Sequence, residues 1–490
     1  MSTDTRRRER YRFGPLEPGP VLGLHLSQIV ALGAAALVLV AAANRDSLLQ
    51  VLAGAALSLL ICIGALLPVA GGTAFGWAQL TGVHAARRLT GRHRYRHTCP
   101  PAGECSLPAA LSGCRLIAIP SQGGEVGAVR EGSLLTGVLE VRPTAFLLLD
   151  GAERERRVAG WGQILAGLAS RGSVVSRVQW VERTADQPVD ELGAWFAEHV
   201  HLEVTHPAVA SYVALLQDAG PASVGHQILV AVSVDRRRAQ QAIRRAGGGE
   251  LGHEVVLLRE LEGLAAELAS HEIPVAGALT PRQLATHIRT GFDPTITTTA
   301  AHRAAHQGPD GIAPTDPGPM AAEETWGTLL TDGFHHATFW ISEWPRLDVG
   351  CDVLAPLLLS DRVRRAVSVV MEPMDTTRAI RGIERRAAAF DDDDSLRARG
   401  GWRQTGRRRR ARQALDEQET ELVSGHAPYR FSGYLTVTHT DPAALEDECR
   451  QVTTLAARVH LDLRRMWGQQ ALAHTYTLPL GRGLRSRGIG

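Results

Sequence analysis

Apolar and polar positions are distributed unevenly along the chain. Two nearly uninterrupted apolar segments, roughly Leu24 to Ala43 and Leu48 to Ala70, stand near the N-terminus. Each is close to the roughly 20 residues that a helix needs to cross a bilayer. Only Asn44 to Ser47 join them, so the pair is expected to form a helical hairpin whose ends emerge on one side. A second apolar segment following at once argues against a cleaved signal peptide. Shorter apolar runs at Arg115 to Pro120, Leu134 to Val141 and Ala145 to Asp150 are separated by turn residues and read as strands.

From there strand and helix patterns alternate. Glu153 to Arg171 has helical spacing, and Val174 to Arg183 alternates apolar with polar as a half-buried strand does. Ala208 to Asp218 reads as helix, Ser223 to Val234 as strand, Arg236 to Arg245 as helix, and Val255 to Ser270 as a long helix with Leu257, Leu261, Leu264 and Leu268 on one stripe. Thr280, with Pro281 next and Gln283 three residues on, is a capping box opening another helix. Phe292 to Met320 is poor in large apolar residues and rich in Thr, Pro, Gly and His, the composition of a linker. Beyond it come a strand pair, Trp326 to Leu330 and Ala337 to Trp344, a helix at Asp352 to Leu359, and a strand at Arg365 to Met371. A charged helical stretch covers Asp375 to Val423, Tyr429 to Thr440 is a strand, and Asp441 with Pro442 caps a helix carrying Leu445, Cys449, Val452, Ala456 and Val459 on one face.

The expected class is α+β: a transmembrane hairpin followed by two cytoplasmic α+β modules, each a small sheet covered by helices. The boundaries are a basic N-terminus at 1–23, the hairpin at 24–70, a juxtamembrane connector at 71–112, a first module at 113–291, a linker at 292–324, and a second module at 325–490 with a charged insertion at 375–424. No short internal repeat is visible, although both modules run strand, helix, strand.

Charge sets the topology. Arg6, Arg7, Arg8, Arg10 and Arg12 precede the first apolar segment, and Arg87, Arg88, Arg92, Arg94 and Arg96 follow the second, while Arg45 in the turn is balanced by Asp46. The positive-inside rule then puts both termini in the cytoplasm of a chain held in the cell's inner membrane by two spans. The mean hydropathy of −0.07 averages an apolar head with an ordinary soluble body. Every basic side chain other than histidine is arginine, since the chain contains no lysine. That excludes a standard P-loop, whose lysine reaches the nucleotide phosphates, and also lysine Schiff-base and protein-kinase chemistry. A cytoplasmic body implies that Cys99, Cys105, Cys114, Cys351 and Cys449 are reduced thiols.

None of the chemical groupings makes a persuasive site. Gly247, Gly249 and Gly252 spell G-x-G-x-x-G but follow a helix rather than a strand, the position of an inter-helix loop. His93, His97, Cys99 and Cys105 lack a C-x-x-C pair, and His302 with His306 falls in the linker. Asp332, His335, His336 and Glu343 have the residue types of acid-base chemistry, without a G-x-S-x-G elbow or an H-E-x-x-H helix beside them. Arg397 to Arg412 holds eight arginines, including Arg407, Arg408, Arg409 and Arg410, yet only Trp402 could stack on a base. A solvated tip is the main reading there, with a partner protein, anionic lipid or nucleic acid left open. No catalytic residue, cofactor or metal is assigned.

The segment from Gly425 to Leu484, GHAPYRFSGYLTVTHTDPAALEDECRQVTTLAARVHLDLRRMWGQQALAHTYTLPLGRGL, resembles the region before the motor of VirB4-like ATPases of type IV secretion systems. The matching "Q…A…LPL" positions are Gln470, Ala473, Leu478, Pro479 and Leu480, and the motor itself would be absent. The paired N-terminal spans resemble the small PrgI/VirB3-like membrane proteins, and the whole outline looks like membrane proteins of actinobacterial conjugative elements. The resemblance implies a non-catalytic inner-membrane scaffold or adaptor for conjugation. Its partners would be a separate VirB4-like secretion ATPase, docked through Gln470 and Leu478 to Leu480, and other channel components, with homo-oligomerisation left open. Two alternatives share the outline: the EccE component of type VII secretion, which has two N-terminal spans before a cytoplasmic α/β domain, and a membrane-tethered hydrolase using Asp332, His335 and Glu343.

Overall fold

The computed structural model describes residues 26–45, 47–69, 72–98, 105–142, 148–170, 172–186, 196, 199–203, 206–219, 224–305, 311–345, 349–359, 363–374, 380–385, 387–388 and 427–484. They divide between two compact units, one of residues from 15–93 with 467–469 and the other built from residues 94–466 with 470–484. The first contains α1 (Leu26–Ala43), α2 (Leu48–Leu66), a ribbon of β1 (Pro68–Val69) and β2 (Gly72–Thr73), and α3 (Ala74–Leu89). Helix α3 opens on Thr73, whose hydroxyl accepts the Gly76 N–H and satisfies one orphan donor of the first turn.

The second unit runs β3 (Arg94–Arg96), β4 (Cys114–Ser121), β5 (Gly124–Glu131), β6 (Leu134–Val141), α4 (Gly151–Leu168), β7 (Val175–Asp186), α5 (Pro207–Ala219), β8 (Val224–Asp235), α6 (Gln240–Arg245), α7 (Gly249–Ser270), β9 (Val275–Ala278), α8 (Pro281–Phe292) and α9 (Ile296–Ala305). It continues with β10 (Ala321–Glu324), β11 (Leu329–Thr331), β12 (Phe334–Glu343), α10 (Ala355–Leu358), β13 (Arg365–Pro373), β14 (Tyr429–His439), α11 (Pro442–Arg458), β15 (Asp462–Arg465) and α12 (Gln470–His474).

The two small sheets expected from the sequence are instead one antiparallel sheet of 13 strands, in the order β3-β10-β11-β12-β14-β13-β7-β8-β6-β5-β4, with β9 on β6 and β15 on β12. The central neighbours β7 and β13 come from the two sides of the expected linker and pair from Val178–Met371 to Arg183–Ala366. Backbone ladders, not a flexible tether, therefore join the halves.

That order is palindromic. In each half a hairpin (β5–β6 or β11–β12) is followed by a strand at the centre (β7 or β13) and a strand slotted between (β8 or β14). A long helix (α7 or α11) and a short strand beside the hairpin (β9 or β15) complete it. The registers agree residue by residue: Val181 faces Ser368, and from that pair one ladder runs Leu229, Glu140, Gly277 and the other Tyr434, Trp340, Arg464. Both long helices end the same way. Glu272 and His460 adopt φ of 60°, and the next N–H returns to the helix, Ile273 to the Leu268 carbonyl at 3.0 Å and Leu461 to the Ala456 carbonyl at 2.9 Å. Five residues after β9 and β15 come Gln283–His287 (QLATH) and Gln470–His474 (QALAH). The unit is an internal duplication with a pseudo-twofold axis through Val181 and Ser368.

Alternating side chains give the sheet two buried faces. On one, Leu135, Leu139, Val178, Val230 and Val232 pack on Leu257, Leu261, Leu264 and Leu268 of α7, the stripe expected from the sequence. Further along that sheet, Ala337, Phe339, Val367, Leu435 and Val437 pack on Leu445, Cys449, Val452 and Ala456 of α11. On the other face, Val129, Val138, Val181, Leu229 and Ala231 meet Leu284, Ile288 and Phe292 of α8 together with Leu478 and Leu480. Helix α8 starts with the expected capping box. It approaches β5 so closely that a Cβ on Gly127 would lie 2.8 Å from the Pro281 Cα, so only glycine fits there.

Two expectations are corrected locally. The expected linker contains α9, and Arg282 donates to the Gly311 carbonyl at 2.9 Å, so polar contacts order a segment that has little apolar surface. Ala145 to Asp150 is no strand where it is described: Asp150 is the N-cap of α4, its carboxylate accepting the Glu153 N–H at 2.7 Å.

Candidate functional site: the apolar anchor and the polar seam

Helices α1 and α2 pack antiparallel through small residues. The Ser58 hydroxyl donates to the Ala35 carbonyl and the Gln28 amide to the Ala65 carbonyl, both at 2.9 Å, and a Cβ on Gly54 would lie 2.1 Å from the Ala42 Cβ. Such close approach suits helices that meet in lipid, where small residues let backbones touch. Leu48–Leu66, with mean hydropathy 2.3, is long and apolar enough to cross a membrane, whereas the apolar helix Gln28–Ala43 is shorter. Only 11% of the α2 window is buried, in contrast to the mostly buried core helix of a soluble fold. Leu48, Leu49 and Leu60 point outward at 76%, 78% and 69% exposure. Arg87 and Arg88 sit in the last turn of α3, where cations suit the helix C-terminus. Arg6, Arg7 and Arg8 lie outside the described residues.

In the sheet unit the most elaborate polar construction surrounds Gln179, fully buried on β7 two residues from the pseudo-twofold axis. Its amide nitrogen lies 2.8 Å from the Ser368 hydroxyl, 3.0 Å from the Tyr476 carbonyl and 2.9 Å from the Leu478 carbonyl. Its oxygen accepts the N–H groups of Leu480 at 3.0 Å and Gly481 at 2.7 Å. One side chain thus straps residues 476–481 across the seam between the halves. The Tyr434 hydroxyl donates to the Gly483 carbonyl, and Arg482 donates to the Ala110 carbonyl at 2.7 Å, which fastens the end of the strap.

Nearby, Arg183 donates to Gln227 at 2.7 Å and to the His287 carbonyl at 2.6 Å, and its other guanidinium nitrogen lies 2.7 Å from the His287 Nδ1. Burial pushes Arg183 down to about 10 and, with the neighbouring guanidinium, holds His287 well below the usual histidine range. His336 bonds Thr331 and Thr438 at 2.7 and 2.9 Å, and its ring centre lies 4.5 Å from that of His474. Burial lowers both, His474 to about 4. A cavity with room for about 30 Å³ lies among Arg183, Thr184, Thr436, Thr438, His474 and Thr477. It suits one or two waters and is far below the roughly 300 Å³ of a small-molecule site.

The sequence-derived candidates fall in unexpected places. Gln470, proposed to face a partner, is fully buried: it accepts the Thr338 N–H at 2.8 Å and donates to the Met466 carbonyl at 2.9 Å. Leu478, Pro479 and Leu480 are buried as well. Leu478 and Leu480 bond Gln179 and so tie the chain's own halves together, Gln470 braces β12 within its own half, and all four are buried rather than turned to a partner. Arg407, Arg408, Arg409 and Arg410 lie outside the described residues.

The acid-base set is not assembled. Asp332, at φ 48° in the β11–β12 turn, accepts the N–H groups of Met320 and Ala321 at 3.0 and 2.9 Å and pairs with Arg289 at 2.8 Å. His335 and His336 alternate on opposite sides of β12, and Glu343 closes the far end of that strand. Gly247 and Gly248 form the turn between α6 and α7 and Gly249 opens α7, all three at positive φ, whereas Gly252, expected in the same inter-helix loop, lies buried within α7. His97 bonds Asp316 at 3.1 Å and the Cys105 thiol the Pro314 carbonyl at 3.3 Å, while Cys99 and His306 lie outside the described residues. Sequence reasoning missed Gln179, and a lone polar residue in the VQWV run was the available signal.

Comparison with known proteins places part of this chain. No curated protein matches it. Residues 222–341, from β8 through α7, α8 and the β11–β12 hairpin, match the profile of the family described as "Putative type VII ESX secretion system translocon, EccE". The match supports the type VII alternative and gives nothing for VirB4-like, PrgI/VirB3-like or conjugative assignments, which it replaces.

Proposed function

We propose that the chain is a non-catalytic, EccE-like membrane component of a type VII secretion apparatus. The match of residues 222–341 to the EccE family carries this reading. The lipid-compatible surface of α2 supports the membrane location. In this reading α1 crosses beside α2, both termini are cytoplasmic, and the duplicated sheet is a cytoplasmic platform for other translocon subunits. The scattering of Asp332, His335 and Glu343 supports a structural role over a hydrolytic one. The test is affinity purification of the tagged full chain from its own cells in mild detergent, with the co-purifying proteins identified by mass spectrometry. Recovery of type VII translocon subunits in fixed proportion is the expected result. A complex with a VirB4-like ATPase and no type VII subunit would overturn it.

A further inference from the structure

Helix α3 turns a histidine and an arginine inward and leaves an uncharged side outward. His84 is buried and Trp77, Leu80 and Arg87 are partly covered, so the side bearing histidine and arginine faces inward. The opposite side carries Phe75, Ala78, Gln79, Gly82, Ala85, Ala86 and Leu89, all exposed, with Phe75 at 64% and Leu89 at 89%. Their spacing of three or four residues aligns them in one stripe along the helix, and the stripe contains no charge. Solvated helix faces are normally charged or polar, so an uncharged exposed stripe marks a surface that something apolar covers.

Its neighbours say what that is. Helix α3 belongs to the same compact unit as α1 and α2, and the Ala74 N–H bonds the Leu67 carbonyl, so α3 starts where the candidate span ends. Its 16 residues give a length of about 24 Å, short of the roughly 30 Å hydrocarbon core. It can lie along a bilayer but cannot cross one. Arg88 and Arg92, both exposed, stand at its C-terminal end, where they complement anionic headgroups.

We infer that α3 lies in the membrane interface, with the Phe75–Leu89 stripe sunk into the headgroup and acyl boundary of anionic lipid. This rests on the reading of α2 as a span and adds a lipid-binding surface to it. A helix held along the interface fixes the level at which the chain leaves the membrane.

The test uses the full chain in nanodiscs of phosphatidylglycerol and phosphatidylethanolamine. A nitroxide-bearing amino acid is placed in turn at Phe75, Ala78, Thr81, Ala85 and Leu89, and at Leu57 and Leu60 of α2 as controls. Collision with apolar oxygen is compared with collision with a water-soluble nickel chelate. The expected result is an oxygen-to-nickel ratio several-fold higher at Phe75, Ala78, Ala85 and Leu89 than at Thr81, with high ratios at Leu57 and Leu60. Free nickel access to the stripe while the α2 labels stay lipid-exposed would overturn the inference and leave the span standing. Shielding from both reagents would overturn it in favour of a protein cover. Nickel access at Leu57 and Leu60 would overturn both the inference and the span.

Discussion

Replacing Gln179 by leucine is the sharpest way to ask whether the strap welds the two halves. The substitution keeps nearly the same volume, so it creates no large cavity. It leaves the Tyr476 carbonyl, the Ser368 hydroxyl and the N–H of Gly481 without the Gln179 partner that each has at 3.0 Å or less. Each stranded group costs about 1–3 kcal/mol. The Leu480 N–H keeps a 2.8 Å contact with the Leu478 carbonyl, and the strap can admit water at its edge, so the low end of that range applies. The expected loss is about 3 kcal/mol. For a unit of this size that is a fall of about 4 °C in Tm. Purified full-length protein in detergent would be melted while its tryptophan fluorescence is followed, and tryptic cleavage at Arg482 would be timed in parallel. Faster cleavage should accompany the lower Tm. Gln179→Glu should be worse than leucine, because it buries a negative carboxylate against the carbonyl oxygens of Tyr476 and Leu478. If Gln179→Leu leaves both Tm and cleavage unchanged, the strap is not held by this side chain.

Further outcomes follow from the same geometry. Gly481→Ala should lower stability by about 2–3 kcal/mol, because the residue sits at φ +66° and its Cβ would fall 2.2 Å from the Ser233 hydroxyl; an unchanged melting curve would count against that contact. Asp332→Asn should destabilise by about 2 kcal/mol by stranding Arg289, whose partner lies at 2.8 Å with both side chains 10% exposed. Denaturant titration would show this, and unchanged stability would mean that the pair is solvated. Burial depresses His287, His336 and His474 in the folded state, so all three bind protons more readily when unfolded. Stability should therefore be full above about pH 6.5 and fall as pH drops toward 4, each histidine contributing up to about 1.4 kcal/mol per pH unit. His474→Gln should flatten the dependence of Tm on pH, and a wild-type Tm constant from pH 7 to 5 would refute the linkage.

Much of the local architecture was legible. The Leu257–Leu268 stripe, the Thr280 capping box, the Asp441 cap and the apolar face of α11 are all decided within one helix, and all appear as the pattern implies. Strand β5 escaped because its sequence GEVGAVRE carries few apolar residues, and one of its positions must be glycine to admit α8. The single sheet was illegible because β7 and β13 are nearly two hundred residues apart, and no local pattern states which strand neighbours which. Residues 292–320 looked like a tether because Gly311 and Ile312 are held by hydrogen bonds with Arg282 and Thr286, which hydropathy does not register. Gln470 and Leu478 to Leu480 suggested a partner surface when their partner is the chain itself. The faint Q-x-x-x-H echo at Gln283 and Gln470 was a trace of the duplication in the sequence.

A seam between two like halves is usually found between separate subunits, where it forms only above some threshold concentration and where any substitution appears on both sides. Here β7 and β13 belong to one polypeptide, so the seam forms at any dilution. Each side has also been free to change alone. The positions on β13 that correspond to Gln179 and Arg183 are Ala366 and Val370, which face Arg183 and Gln179 across the ladder. One half supplies Gln179, whose amide reaches Ser368 and residues 476–481 of the other, while the other has only Ala366 at the corresponding position, a division of labour that two identical subunits could not have reached.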